Sequence, residues 1–174
     1  MPQALAGRRI LVVIAPYDFS ERELVSLLQV FGREGAQTAV VNDTGQAGKG
    51  LHGQIVTPHG SFYHVNSADF DAIVFVGGPG AAAYSHNRRA LQLVHEFNAA
   101  GKPVAALDVA PSILANAHIL LNRRATARPT ERDAINAFGI YTGAPVEVDG
   151  NIITASSSAH AGELANALVA ALRR

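Results

Sequence analysis

The sequence predicts an α/β fold, a three-layer sandwich in which helices cover both faces of a central, mostly parallel sheet. Residues 10–15, 71–76 and 104–107 form short runs rich in apolar residues, without the polar alternation of a half-exposed strand. Segments with helical spacing of apolar residues separate them, and such alternation indicates a parallel sheet. We expect one domain over residues 1–174, because no linker or repeat interrupts the pattern.

The first half of the chain contains one well-marked helix. Ser20 is a candidate N-cap, and Glu23 three residues later completes a capping box. Leucines continue the helical spacing to about residue 34, and Gly35 ends the helix. A second strand is predicted over residues 37–42. It is followed by a glycine-rich loop over 43–53 and short strands over 54–58 and 60–65.

The second half repeats the alternation. Helices are predicted over residues 88–100, 109–117, 131–138 and 160–172. Residues 146–154 predict a hairpin with Asp149-Gly150-Asn151 at its turn.

Composition excludes several classes of function. Fourteen basic residues balance fourteen acidic ones, so no charge excess indicates binding to nucleic acid or to an anionic membrane. The chain has no cysteine, which excludes a thiol nucleophile, a disulfide framework and a thiolate metal site. Residues 1–7 are too short and too weakly apolar for a signal peptide, and no apolar run spans a membrane. We expect a cytoplasmic protein.

Asp108 is the most informative residue. It lies between a predicted strand and a predicted helix, with alanines at positions 106 and 110. A strand–turn–helix elbow presents its central side chain above the sheet, and small neighbours allow so tight a turn. A carboxyl group there indicates proton chemistry, covalent carboxylate chemistry or a disabled site. The simpler alternative is that Asp108 only caps its helix, where the helix dipole favours negative charge.

Backbone amides near Asp108 suggest an oxyanion-binding site. Gly77 and Gly78 follow the strand over residues 71–76, and their amides, with that of Val109, resemble the donors of an oxyanion hole. The alternative is that Gly77-Gly78-Pro79-Gly80 only forms a tight turn. The segment is not a phosphate-binding loop, because no Gly-Lys-Ser/Thr follows.

Asp18 follows the first strand, so it is predicted at the same edge of the sheet as Asp108. Two carboxyl groups in contact share one proton, which provides an acid and a base in one site. We therefore predict Asp18 and Asp108 as the catalytic residues, with no cofactor and no metal. A weaker alternative places a hard divalent ion on Asp18, Asp108 and His59.

Other polar residues have open roles. Arg128 is a possible anion contact. Residues 156–158 are serines that either bind a ligand or cap the last helix. His59 and His64 precede the strand over 71–76, and the sequence assigns them no role.

Three segments together are typical of one protein family: Phe70-Asp-Ala-Ile-Val-Phe-Val-Gly-Gly-Pro-Gly80, Ala100-Gly-Lys-Pro-Val-Ala-Ala-Leu107 and Val146-Glu-Val-Asp-Gly-Asn-Ile-Ile-Thr154. On these segments the chain resembles the ThiJ/PfpI family, the DJ-one superfamily, over residues 9–172. The resemblance implies a flavodoxin-like sandwich and a homodimer with the pocket near the interface. It also implies that Asp108 occupies the family's cysteine position, that Asp18 is the family's acidic partner, and that the late Ser-Arg-Gly-Pro pattern has lost its arginine at 155–158.

Two functions remain open at this point. The first is a cysteine-independent enzyme that uses the Asp18/Asp108 pair on a small polar or carbonyl-type substrate, with hydratase, lyase or isomerase-like chemistry. Ester formation on Asp108 is a less favoured version. The second is a non-catalytic pseudoenzyme, a small-molecule binding protein or dimeric scaffold whose aspartate mimics an oxidised cysteine.

Overall fold

A computed structural model describes residues 3–173 and confirms the predicted α/β sandwich. The strands are β1 (Arg9–Val13), β2 (Tyr17–Phe19), β3 (Gln37–Asn42), β4 (Gly48–Gly50), β5 (Ile55–Val56), β6 (Gly60–Ser61), β7 (Ala72–Phe75), β8 (Val104–Leu107), β9 (Arg124–Ala125), β10 (Ile140–Tyr141), β11 (Val146–Asp149) and β12 (Ile152–Ala155). The helices are α1 (Glu21–Arg33), α2 (Arg88–Ala99), α3 (Pro111–Asn116), α4 (Arg132–Asn136) and α5 (Ala161–Leu172).

The central sheet has seven strands in the order β11-β12-β8-β7-β1-β3-β6. All neighbours are parallel except β11, which pairs antiparallel with β12 as the second arm of the predicted hairpin. Val12 of β1 lies opposite Val40 of β3 and Val74 of β7, and all three side chains are buried. Such strands are apolar throughout because helices cover both of their faces.

The chain reverses direction across the sheet between β1 and β7. From β1 it crosses through α1 to β3 on one side, and from β7 it crosses through α2 to β8 on the other. Right-handed crossovers in opposite directions place α1 and α2 on opposite faces. The connections that follow β1 and β7 therefore leave the sheet in opposite directions, and a crevice forms between them at the carboxyl ends of the two strands. Open α/β sheets bind ligands in such crevices.

A small second sheet borders this crevice. β2 pairs with β4, and β4 pairs with β5, in residues that the sequence predicts mostly as loops. None of the helices in residues 3–173 is long and apolar enough to cross a membrane.

Candidate active site

A cavity of about 670 Å³ opens at the carboxyl ends of β1, β7 and β8. Its charged or titratable lining residues are Arg22, His52, Asp108 and Arg128. Serines 20, 156, 157 and 158 supply hydroxyl groups, and Leu51, Pro79, Pro129 and Ala159 supply apolar surface. The volume is that of a typical small-molecule site.

Asp108 forms the predicted elbow between β8 and α3. Its φ is 63°, in the left-handed region that Asp and Asn enter more readily than most residues. The turn is fixed because the Asp108 amide donates to Ala155 O at 3.0 Å, and the Asp108 carbonyl accepts from the Arg128 amide at 2.8 Å. The side chain is buried. Its Oδ2 accepts from the Gly78 amide at 3.1 Å, and its Oδ1 lies 3.6 Å from Arg128 Nη1.

Glu23 is a second acid at this edge of the sheet, and from the sequence it was expected only to cap α1. It lies in the first turn of α1 and is fully buried. Its Oε1 accepts from the Gly77 amide at 2.7 Å, and its Oε2 accepts from the Ser158 hydroxyl at 2.7 Å. Burial is the main cause that raises the pKa of Glu23, and the nearby charge of Asp108 acts in the same direction. Hydrogen bonds from Ser158 and the Gly77 amide oppose them, and the net effect raises the pKa to about 7.

Gly77 separates the two acids. A Cβ built on Gly77 would lie 2.6 Å from Asp108 Cβ and 3.0 Å from Glu23 Oε1, and it would also collide with the Leu107 carbonyl. Any side chain at this position would therefore displace both acids. The absence of a side chain lets Glu23 and Asp108 bind the amides of two consecutive residues, Gly77 and Gly78.

The structure does not bring Asp18 and Asp108 together as predicted. Asp18 lies in β2 with φ of 55°, its side chain is exposed, and it is absent from the cavity lining. Its backbone carbonyl, rather than its carboxyl, faces Gly78. The physical reason is that the chain leaves the sheet after β1 to pair with β4 at the surface, and the next helical turn then returns an acid to the sheet edge. The acid that accompanies Asp108 is Glu23.

The three predicted oxyanion donors are used differently from expectation. The Gly77 and Gly78 amides already hold the carboxyl groups of Glu23 and Asp108. The structure records no hydrogen bond for the Val109 amide within residues 3–173, and Val109 does not line the cavity. An anionic side chain at the elbow therefore takes an amide that would otherwise be free for a substrate oxygen.

Glu21 fixes one rim of the cavity. Its carboxylate accepts from the amide of His52 at 2.8 and 3.0 Å and from that of Gln54 at 3.1 Å. Burial alone would raise the pKa of Glu21, but these backbone donors outweigh it and lower the pKa below its usual value. Helix α1 thereby holds the turn that places Leu51 and His52 at the cavity.

The alternative metal site on Asp18, Asp108 and His59 is not assembled. His59 Nδ1 accepts from the Val40 amide at 2.9 Å, and His59 and His64 line a separate cavity of about 320 Å³. Within residues 3–173, no three His, Asp or Glu side chains cluster in a way suited to a metal ion.

Comparisons with known proteins agree with this architecture. A sequence model described as the DJ-1/PfpI family matches residues 8–171. The chain belongs to the DJ-1/PfpI family. The uncharacterized protein MJ0967 of Methanocaldococcus jannaschii is 38% identical over 161 residues, which cover 90% of this chain and 78% of that protein. The crystal structure of a ThiJ/PfpI domain protein from Brachyspira murdochii superposes with a TM-score of 0.91 at 28% identity, covering 94% and 95% of the two chains.

Some DJ-1/PfpI relatives carry names that state an activity. The protein named deglycase PYRAB04690 of Pyrococcus abyssi is 33% identical over 147 residues, which cover 84% of this chain and 88% of that protein. Our chain has no cysteine. That Asp108 occupies the cysteine position of the family stays a prediction.

Proposed function

We propose that this DJ-1/PfpI protein is a cysteine-independent enzyme in which Asp108 and Glu23 form an acid–base pair. Its substrate is a small polar or carbonyl-type molecule, and its chemistry is of the hydratase, lyase or isomerase kind. Glu23 replaces Asp18 in the pair that the sequence predicted.

One observation carries the proposal. Two buried acids flank Gly77 at the crevice of the sheet, and the pKa of one of them, Glu23, is raised by burial to about 7. A carboxylic acid that holds its proton near neutral pH is suited to donate it, and a neighbouring carboxylate is suited to accept one. If these acids served only as an ion pair or as a helix cap, Glu23 would not need to be buried away from solvent.

The proton of Glu23 reaches the cavity through a hydroxyl. Glu23 does not line the cavity, but Ser158 does, and its Oγ lies 2.7 Å from Glu23 Oε2 and 3.1 Å from Ser20 Oγ. In the reaction Asp108 removes a proton from the carbon next to the carbonyl, and the electron pair moves to the carbonyl oxygen. When Glu23 holds its proton, the 2.7 Å contact reverses: the Glu23 O–H donates to Ser158 Oγ, and the Ser158 hydroxyl proton is free to turn to the cavity. Ser158 then donates its proton to the carbonyl oxygen and takes the proton of Glu23, so that Glu23 ends ionised and Asp108 protonated.

The names of the relatives are consistent with this class of substrate. Deglycation acts on adducts derived from carbonyl compounds, and the Pyrococcus abyssi relative carries the name deglycase. For our chain, however, any such reaction must proceed without a thiol.

A second candidate function is a non-catalytic, ligand-binding member of the family. The observation that favours it is that the Asp108 carboxylate already occupies the Gly78 amide and lies beside Arg128. In this arrangement Asp108 fills an anion site itself and leaves fewer donors for a transition state.

Isotope exchange distinguishes the two functions. Wild-type protein is incubated with a panel of small aldehydes and ketones in D₂O, and loss of the proton next to the carbonyl is followed by NMR. We expect exchange that Asp108→Asn and Glu23→Gln each reduce at least 100-fold, the usual range for a general acid or base. Asp18→Asn is the control and retains exchange, because Asp18 is exposed outside the cavity. Full exchange in Asp108→Asn would refute the enzyme and leave the binding protein.

A further inference from the structure

The charges that line the cavity do not balance. Arg22 and Arg128 contribute two permanent positive charges, and Asp108 is the only acid among the lining residues. The two other acids in the first turn of α1 are not in the lining: Glu21 is bonded to backbone amides of the rim, and Glu23 is bonded to the Gly77 amide and the Ser158 hydroxyl. The cavity therefore presents a net positive charge of about one to a ligand.

The two arginines retain unused donors. A guanidinium has five N–H groups. Within residues 3–173, the structure records no side-chain hydrogen bond or ion pair for Arg22, and for Arg128 only the 3.6 Å approach to Asp108. Arg89 shows the contrast, since its guanidinium contacts the carbonyls of Phe62 and Val65 and the side chains of Gln92 and Glu96. The donors of Arg89 are used by contacts within the fold, whereas most donors of Arg22 and Arg128 are free to bind a ligand.

Uncharged donors line the same cavity as these arginines. Ser156 and Ser157 line the same cavity, and the structure records no side-chain hydrogen bond for either within residues 3–173. Apolar surface from Leu51, Pro79 and Pro129 faces the same space. The lining thus combines cationic donors, hydroxyl groups, a short apolar wall and Asp108, and it contacts Glu23 through Ser158.

We propose that Arg22 and Arg128 bind a carboxylate group of the substrate, so that the enzyme acts on a small carbonyl compound that is itself a carboxylic acid. Arginine binds carboxylates through paired N–H donors, and the serine hydroxyl groups complete the contacts. A carboxylate carries one negative charge and matches the excess charge of the cavity, whereas a phosphate monoester carries close to two. The assignment of the reaction rests on the proposed function, but the binding does not.

Titration by NMR tests the assignment with three probes: pyruvate, its uncharged methyl ester and inorganic phosphate. Pyruvate and methyl pyruvate share the carbonyl and differ in the negative charge. We expect pyruvate to bind at least tenfold more tightly than methyl pyruvate, and more tightly than phosphate. Arg22→Gln and Arg128→Gln should each weaken pyruvate binding about tenfold, the usual effect of removing a hydrogen bond to a charged group. Arg33→Gln, at the exposed far end of the same helix, is the control and should bind as wild type does.

Equal affinity for pyruvate and its methyl ester, unchanged binding in both arginine variants, or tighter binding of phosphate would overturn the proposal. Binding is also measured in Asp108→Asn, which should bind pyruvate at least as tightly as wild type because a like charge is removed. Wild-type protein that binds pyruvate but shows no exchange would count against the enzyme alone. Exchange without preference for the charged probe would count against the carboxylate site alone.

Discussion

Replacing Glu23 with glutamine measures how much the ionisation of this buried acid changes the free energy of unfolding. The pKa of Glu23 rises from 4.5 to about 7, mainly through burial, and a difference of that size corresponds to about 3 kcal/mol. Because the folded-state pKa of Glu23 is raised, its contribution to the free energy of unfolding is fully present below pH 4.5 and is lost as the pH rises through 7. Glutamine cannot ionise, keeps an oxygen for the Gly77 amide, and presents an amide to Ser158.

The expected result is a stability difference that depends on pH. Urea unfolding at several pH values from 4 to 8 should show Glu23→Gln close to wild type in acid and more stable by about 3 kcal/mol at the alkaline end. Glu21→Gln is the matched control on the same helical turn. Since the pKa of Glu21 is lowered, its stabilisation is present near neutrality and lost in acid, so this variant should be less stable than wild type at pH 7. A difference between Glu23→Gln and wild type that stays constant from pH 4 to 8 would refute the reasoning.

Two further predictions concern packing and assembly. Gly77→Ala should lower the free energy of unfolding by about 3 kcal/mol, because its Cβ meets the Leu107 carbonyl and both acids, whereas Gly32→Ala should raise it by about 0.5–1 kcal/mol, since nothing lies within 4 Å of that helical position. Chemical denaturation measures both, and equal effects would contradict the geometry. The homodimer implied by family resemblance should give twice the chain mass in light scattering, and a monomer at all concentrations would exclude it.

Much of the sheet was predictable because its signal is local. Strands β3 and β8 have the predicted bounds, and β1, β7 and the β11–β12 hairpin differ from the predicted runs by one or two residues. Continuous apolar runs mark buried parallel strands directly. The second sheet was not predictable in this way. Strands β2 and β4 are three residues each and pair with each other across a helix and a strand, so their pairing leaves no periodic pattern in the sequence.

The sequence identified some residues of the candidate site and missed others. Asp108, Gly77 and Gly78 lie at the ends of strands, as predicted. Asp18 was selected because it follows the first strand and matches the family's acidic position, and Glu23 was overlooked. The capping box over Ser20 and Glu23 accounted for Glu23 as a local contact. Ser20 does cap α1, accepting from the Glu23 amide at 3.2 Å, but the Glu23 side chain bonds to Gly77 and Ser158 instead of completing the box. A contact 135 residues away in sequence has no local signal.

Four consecutive residues, Ser20 to Glu23, thus divide the work of one helical turn. Ser20 caps the helix and contacts Ser158, and Glu21 binds the backbone of the cavity rim. Arg22 presents its guanidinium to the cavity, and Glu23 is the buried acid. A one-residue insertion or deletion ahead of this turn would rotate all four by about 100° and disconnect them together. Anyone who grafts this chemistry onto another member of the fold must therefore move the tetrapeptide intact, along with the glycine it faces.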